Sequence, residues 1–303
     1  MAKQFQKVNI EISNICNLQC SFCPEVLRTK SLMSPALFRE VIREVGPRTR
    51  QVALHLMGEP LVHPQLADLV AICHEHGVRI FFVTNGVLLR EKEAELLLHP
   101  AFRQVNFSLH SFPDNFGDKD PTDYLDRIFR YTEEAFQRRL DLFLNYRLWN
   151  FGTAAGGKPA NLDLMERIEK RFDVKVPRQW APGTAKSFPI RNRLSLHFDV
   201  EFTWPGADLP VLGESGTCHG LSSHIGVLVD GTVVPCCLDK EGKIPLGKIP
   251  DQPLGEILRS PRAQAILAGF RSHRLVESLC QRCQYIERFN ENDRRPAAQR
   301  VAT

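Results

Sequence analysis

The chain has 303 residues, 43% hydrophobic and 24% charged, the balance of a soluble globular protein with a sizeable core in one large domain or one domain plus a smaller one. Its net charge of +4 allows an anionic substrate and does not demand nucleic acid, and no apolar run reaches transmembrane length. The start Met1-Ala2-Lys3-Gln4-Phe5-Gln6-Lys7 lacks the apolar stretch of a signal peptide, so a cytoplasmic, reducing location is expected, where nine cysteines point to metal ligands rather than disulfides.

Val8-Asn9-Ile10-Glu11-Ile12-Ser13 alternates apolar and polar residues as a half-buried strand does. It runs into Cys16-Asn17-Leu18-Gln19-Cys20-Ser21-Phe22-Cys23-Pro24, a loop beyond the C-terminal end of a first strand, which is the reactive end of β/α folds. Ser34-Pro35 reads as an N-cap with proline at N1, opening a helix with Leu37, Phe38, Val41, Ile42 and Val45 on one side and ending near Gly46-Pro47. Residues 51–57 read as a strand stopped by Gly58-Glu59-Pro60, and 64–76 as an apolar helix ending at Gly77. Residues 78–84 are almost continuously apolar, the pattern of a strand buried on both faces, and close on Asn85-Gly86. A third helix over 90–98 precedes a fourth strand over 104–110. A helix over 124–138, a strand over 140–148, a helix over 162–172 and a sixth strand over 195–202 follow.

This alternation means parallel strands with crossover helices. Six units are too few for an eight-stranded barrel, so the expected fold class is α/β, a curved, partly open (β/α)6 sheet over residues 1–205. The small-residue stretch over 150–159 reads as a loop over the site or a simple connection. From about Gly206 the pattern changes: Ile225-Gly226-Val227-Leu228-Val229 and Thr232-Val233-Val234 flank Asp230-Gly231, a hairpin signal. Helical stretches over 254–259 and 263–270 then lead to Cys280-Gln281-Arg282-Cys283. A small β-hairpin plus helix domain is expected over 206–290, and a frayed tail rather than a nucleic-acid contact over 291–303.

Three thiolates at C-x3-C-x2-C can converge on one centre. Around a cubane cluster they leave one of four irons without a protein ligand, open to an outside molecule. A three-cysteine zinc site is the alternative, although zinc wants four closed ligands or three plus water, usually with histidine. Gly58-Glu59-Pro60 places a carboxylate where it can receive an ammonium group near the cysteine loop. Thr84-Asn85-Gly86 closes the third strand; Ser108 and His110 close the fourth on one face, and Asn145 and Arg147 share a face of the fifth. His110 is a cofactor or substrate contact or a structural histidine. Arg147 suits a hydroxyl or carboxylate of substrate or cofactor, or a salt bridge at the rim.

The spacing, with the aromatic Phe22 before the third cysteine, resembles the radical S-adenosylmethionine (radical SAM) superfamily. The resemblance implies a [4Fe-4S] cluster on Cys16, Cys20 and Cys23, with SAM chelating the open iron through its amine and carboxylate. It implies reductive cleavage of SAM to a 5′-deoxyadenosyl radical that takes hydrogen from an unactivated C–H bond, with a one-electron donor such as flavodoxin or ferredoxin. Gly58, Glu59 and Pro60 stand at the family's GGEP motif, with Met57 in place of its first glycine. Phe22, Asn85, Ser108 and Asn145 are then further cofactor contacts, Ser108 toward the SAM ribose or carboxylate, and Arg147 and His110 the catalytic candidates.

Cys218 precedes the hairpin, Cys236 and Cys237 follow it, and Cys280 and Cys283 close the region. The hairpin turns the chain back so that Cys218 and Cys236 can meet, and the helices return the last pair. Four ligands would complete a second cluster with no iron open to substrate, which argues for electron transfer or structure; a structural zinc is the alternative. Cys236 and Cys237 point oppositely if extended, so normally one ligates. Cys73, on a helix face with Leu66, Leu69 and Val70, reads as a buried small hydrophobe. The layout resembles the twitch domain, a shortened SPASM domain, through Asp230-Gly231-Thr232-Val233-Val234-Pro235-Cys236-Cys237, Leu246-Gly247-Lys248-Ile249 (lysine for the familiar asparagine) and Leu254-Gly255-Glu256-Ile257-Leu258. That resemblance implies a second [4Fe-4S] cluster on Cys218, Cys236, Cys280 and Cys283. The cysteine spacing is similar to that of the 2-deoxy-scyllo-inosamine dehydrogenases, radical SAM alcohol oxidases.

The expected function is a radical SAM oxidoreductase acting on a small polar molecule (sugar, cyclitol or nucleoside), the auxiliary cluster assisting oxidation. Modification of a ribosomally made peptide is the rival; such enzymes often carry an extra N-terminal domain, for which a first strand near residue 7 leaves no room, though a separate carrier could deliver a peptide. A non-catalytic iron–sulfur or zinc binding protein is the reading of another class.

Overall fold

A computed structural model describes residues 4–150, 159–178 and 186–289. The loop expected over the site (151–158) and the tail therefore lie outside the described residues. In chain order the elements are β1 (Lys7–Ile10), α1 (Pro35–Val45), β2 (Gln51–Ala53), α2 (Leu66–Glu75), β3 (Arg79–Thr84), α3 (Glu91–Leu97), β4 (Phe102–Ser108), α4 (Ser111–Phe116), α5 (Thr122–Arg138), β5 (Phe143–Leu148) and α6 (Pro159–Phe172). There follow β6 (Ser187–Arg191), β7 (Leu194–Phe198), β8 (His224–Val227), β9 (Thr232–Val234), β10 (Gly247–Lys248), α7 (Leu254–Ile257), α8 (Pro261–Arg271) and α9 (Ser278–Gln281).

The strands form one sheet in the order β10-β9-β8-β1-β2-β3-β4-β5-β7-β6. β1, β2, β3, β4, β5 and β7 run parallel, as the alternation of elements requires. Two features depart from expectation. β6 adds an antiparallel edge to β7, and the C-terminal hairpin joins the sheet, with β8 parallel to β1. In a bare six-stranded sheet β1 would leave its backbone groups unpaired at an edge; β8 covers them.

The helices cover one face. Ser34 Oγ accepts from Leu37 N at 3.2 Å with Pro35 at N1, and α1 buries Phe38, Val41, Ile42 and Val45. Val8, Ile10, Val52, Ile80, Phe82, Val105, Phe107, Leu144 and Tyr146 bury the helix-facing side of the strands. β3 is not buried on both faces as its apolar run suggests: Ile80 and Phe82 are buried, whereas Phe81 and Val83 are half-buried. The same alternation recurs on β7 and over Phe143–Tyr146 of β5. The second face of the sheet is only half-buried, and an apolar residue on it reads the same in sequence as one facing a helix. Among the described residues no helix is long and apolar enough to cross a membrane.

Candidate active site

The cysteine loop is pinched at its base by Asn14, which accepts from Ser31 N at 2.7 Å and donates to Thr29 O at 2.9 Å, beside an antiparallel bridge of Ser13 to Leu32. Its tip is gripped by α4. Asp114 accepts from Ser21 N at 2.6 Å and from Ser21 Oγ at 2.7 Å, while Asn115 accepts from Gln19 N at 2.8 Å and donates Nδ2–H to Cys20 Sγ at 3.2 Å. Leu18 N donates to Cys16 Sγ at 3.5 Å. Two N–H donors thus already face sulfur, the environment a cluster-bound thiolate needs. Cys20 is brought down to about 7, first by a hydrogen bond from the Cys23 thiol and further by Asn115, and Cys23 is pushed up correspondingly because its S–H donates to the Cys20 sulfur. No three His, Cys, Asp or Glu side chains among the described residues close on a single metal ion, whose thiolates would sit about 2.3 Å from it. A loop with spaced thiols and N–H donors suits a larger cluster.

Gly58 ends the bend after β2 at φ +76, and a Cβ there would stand 2.4 Å from Ser13 O and 2.8 Å from Ile15 O. Glu59 N donates to Ile15 O at 2.9 Å, so the bend lies directly against the root of the cysteine loop. The Glu59 carboxylate is 2% exposed. It accepts from Leu61 N at 3.0 Å, Thr84 Oγ1 at 2.7 Å and Asn85 N at 2.7 Å, and clamps the bend to the end of β3. An ammonium group would have to use its one remaining acceptor position. Burial pushes Glu59 up to about 7. Pro60 is buried beside it, and Asn85 Nδ2 donates to Asn17 Oδ1 in the cysteine loop at 2.9 Å.

His110 does not share a strand face with Ser108. β4 ends at Ser108, and His110 sits in helical backbone as the N-cap of α4, which the sequence reading missed. Its ring lies 5.1 Å from that of Phe22 and its Nδ1 3.0 Å from Arg147 O. Burial pulls its pKa down to about 4, so the neutral ring donates Nδ1–H to that carbonyl. Ser108 and Asn145 are half-buried, Asn145 donating to Asn106 Oδ1 at 3.0 Å and Ser108 O accepting from Ser111 Oγ at 2.6 Å. Among the described residues the Arg147 guanidinium forms no rim salt bridge; it lies 4.3 Å from the Trp149 ring centroid and 5.5 Å from that of Phe81.

β9 runs antiparallel to β8, pairing Val234 with Gly226, while β8 pairs His224 with Lys7. The chain after β9 is therefore directed to the Lys7 end of β1, opposite the cysteine loop. Cys236 is raised by burial and then by Cys237, Cys218 and Cys280. Cys283 is pushed up to about 11 by burial and, among the thiols, by Cys218 and Cys237. Cys218, Cys236, Cys280 and Cys283 are thus brought together, with Gly220 N donating to Cys218 Sγ at 3.4 Å. Cys237 joins the group rather than pointing away, because the backbone is not extended there. Cys73 is fully buried.

Sequence reasoning overlooked Glu11 and Arg28. Arg28 Nη2 contacts both Glu11 carboxylate oxygens at 2.7 and 2.8 Å, Val229 N donates to Glu11 at 3.0 Å, and Arg28 Nε donates to Lys240 O at 2.7 Å. The pair ties β1, the exit of the cysteine loop and the C-terminal hairpin together. The signal was Lys7, Asn9 and Glu11 at alternate positions, a polar stripe on the lumen face of β1.

Residues 10–171 match the sequence profile of the radical SAM superfamily, and residues 218–284 that of SPASM, an iron–sulfur cluster-binding domain. The S-adenosyl-L-methionine-dependent 2-deoxy-scyllo-inosamine dehydrogenase of Niallia circulans is 27% identical over 118 residues, 37% of this chain and 47% of that enzyme. The chain thus spans about half the length of the curated relatives it matches. The crystal structure of BtrN in complex with AdoMet and 2-DOIA superposes with a TM-score of 0.60 at 18% identity, covering 94% of each chain. Streptococcus suis SuiB bound to precursor peptide SuiA superposes at 0.59 with 14% identity, over 94% of this chain and 71% of that one. At those identities the likeness shows the fold.

Proposed function

The chain belongs to the radical SAM superfamily, and on that premise we propose that it is an oxidoreductase acting on a small polar substrate, a sugar, cyclitol or nucleoside, held in the hollow of the sheet. The family's cofactors are a [4Fe-4S] cluster and SAM, and the C-terminal domain adds auxiliary iron–sulfur. Bound together, cluster and SAM supply an organic radical able to take hydrogen from an unreactive C–H bond. Cys16, Cys20 and Cys23 would hold the cluster, with Asn115 and Leu18 N–H groups toward the sulfurs. Gly58, Glu59, Pro60, Asn85, Ser108 and Asn145 would form the SAM side of the hollow, and Phe22 with His110 its wall. His110 fixes the Arg147 backbone and so positions that guanidinium for substrate.

The observation that carries this reading is the placement of two thiol sets toward opposite ends of β1. A two-electron oxidation needs an acceptor for the second electron. Cys218, Cys236, Cys280 and Cys283 would hold it, and flavodoxin or ferredoxin would donate to the first cluster. Anaerobic reconstitution followed by assay for 5′-deoxyadenosine, then a screen of sugars, cyclitols and nucleosides, tests the proposal. Absence of SAM cleavage removes it, and turnover of a precursor peptide alone would replace the substrate class.

A further inference from the structure

Of the polar stripe on β1, Glu11 is held by Arg28. The Lys7 ammonium forms no hydrogen bond or ion pair among the described residues; it lies 4.4 Å from the Phe81 ring centroid, and the Cys237 thiol acts on it electrostatically. Arg147 reaches the same ring from β5, is 8% exposed, and its guanidinium likewise has no hydrogen bond or ion pair among the described residues. Asp199, whose charge attracts Arg147, is already engaged by Lys186 at 3.3 Å and Arg288 at 3.1 Å. His55 faces the same ring at 6.5 Å between centroids, and its buried Nδ1 has no partner among the described residues. The other imidazoles nearby do not supply negative charge: His197 accepts from Trp149 Nε1 at 3.2 Å and His224 meets Ser223 Oγ at 3.2 Å.

Two like charges share one aromatic ring; Asp199 is divided among other cations and the Cys237 thiol beside Lys7 is raised by burial, so neither cation has a full counter-charge, and an aromatic face offsets only part of its lost hydration. The buried His55 Nδ1, without a partner among the described residues, calls for an occupant. Resting on the function proposed above and refining its substrate, we propose that Lys7 and Arg147 bind an oxyanion, the carboxylate or phosphate ester of a small polar substrate, with His55 Nδ1 hydrogen-bonding an adjacent substrate group. Lysine and arginine are the side chains suited to such groups, arginine through its paired N–H donors. Arg147 O holds His110, which lies against Phe22 of the cysteine loop, and Lys7 stands in the register that leads to Cys236 and Cys237. An anion seated there is anchored between the two thiol sets.

The test is titration of the anaerobically reconstituted full-length chain with inorganic phosphate and with malonate, balanced by chloride at constant ionic strength, with and without saturating SAM. Thermal midpoint and heat of binding are read. The expected result is saturable stabilisation by at least one anion that persists with SAM, with affinity falling about tenfold or more in Lys7→Met and in Arg147→Met and partly kept in Arg147→Lys. Phosphate alone would mark a phosphate ester, and malonate a carboxylate. No saturable effect overturns the proposal, as does an effect unchanged in both methionine variants. Loss of the effect under saturating SAM also overturns it, because the cations would then serve the cofactor's own carboxylate. If neither variant folds, the wild-type titration with SAM decides. 5′-deoxyadenosine formation, measured in parallel, reports separately on the radical SAM reading.

Discussion

Gly58 passes so close to Ser13 that a side chain would place its Cβ 2.4 Å from the Ser13 carbonyl oxygen. The bend and the root of the cysteine loop are one packed unit, and the φ of +76 excludes most other residues. Gly58→Ala is expected to cost about 2–4 kcal/mol and to weaken SAM binding, through the clash added to backbone strain. Gly77, at φ +64 with nothing within 4 Å of a Cβ, is the control: its alanine variant bears the strain without the clash. Denaturation of both variants and SAM titration of the folded fraction check this, and equal losses at the two positions would contradict it.

The parallel sheet, its helices and the cysteine loop were legible because they rest on local patterns: alternation in β1, the Ser34-Pro35 cap and the C-x3-C-x2-C spacing. What was not legible depends on curvature and pairing. Phe81 looks like a core residue until the sheet bends around a lumen, and Lys7 looks like a surface lysine until β8 pairs beside it. α4 was hidden because its six residues are too few to show a period, although Ser111-Phe112-Pro113-Asp114 carries a helix-start signal. Asn115 was missed for the same reason.

Asn115 gives a second prediction. Its Nδ2–H donates to Cys20 Sγ at 3.2 Å, and such a bond favours the more negative, reduced cluster. Asn115→Ala is expected to lower the first cluster's midpoint potential by roughly 40–60 mV, the one-electron equivalent of a bond worth about 1–1.5 kcal/mol. Redox titration followed by electron paramagnetic resonance measures it; an unchanged potential would show that the amide serves only the loop backbone.

Glu59 gives a pH dependence. Burial raises its pKa from an ordinary 4.5 to about 7 in the fold. The unfolded chain therefore ionises first, and the stability present below pH 4.5 is lost as pH rises through about 7. The span corresponds to about 3 kcal/mol at most. Glu59→Gln removes this titration, so the difference in denaturation free energy between wild type and variant should slope across that interval and flatten above it. A difference independent of pH would mean that Glu59 is ionised throughout.

Arg28 is the counter-charge of Glu11, which is fully buried and whose pKa is raised by burial in spite of that arginine. Arg28→Met leaves the carboxylate uncompensated and is expected to cost about 3–5 kcal/mol at pH 8, less at pH 5, where Glu11 can take up a proton. Glu11→Gln in the Arg28→Met background should recover part of the loss. Denaturation at the two pH values checks both statements, and a loss equal at both would place the contribution of Arg28 in its bond to Lys240 O instead.

Cys236 and Cys237 are adjacent and both half-buried among the C-terminal thiols, so geometry alone does not select the ligand. The surroundings differ. Cys236 lies in the electrostatic reach of Cys218 and Cys280; Cys237 is within reach of Cys218 and Cys283 but also lies beside the Lys7 ammonium and packs against Val26, Leu56 and Met57. A ligand belongs with the other thiolates, and a thiol beside a lumen cation faces the substrate side. Cys236→Ser is therefore expected to reduce reconstituted iron from about eight to about four per chain, with Cys237→Ser keeping about eight. Anaerobic iron, sulfide and zinc analysis decides. Loss of iron from the Cys237 variant alone would exchange the roles, and about four irons with one zinc in the wild type would make the second site structural zinc, leaving the second electron without its acceptor.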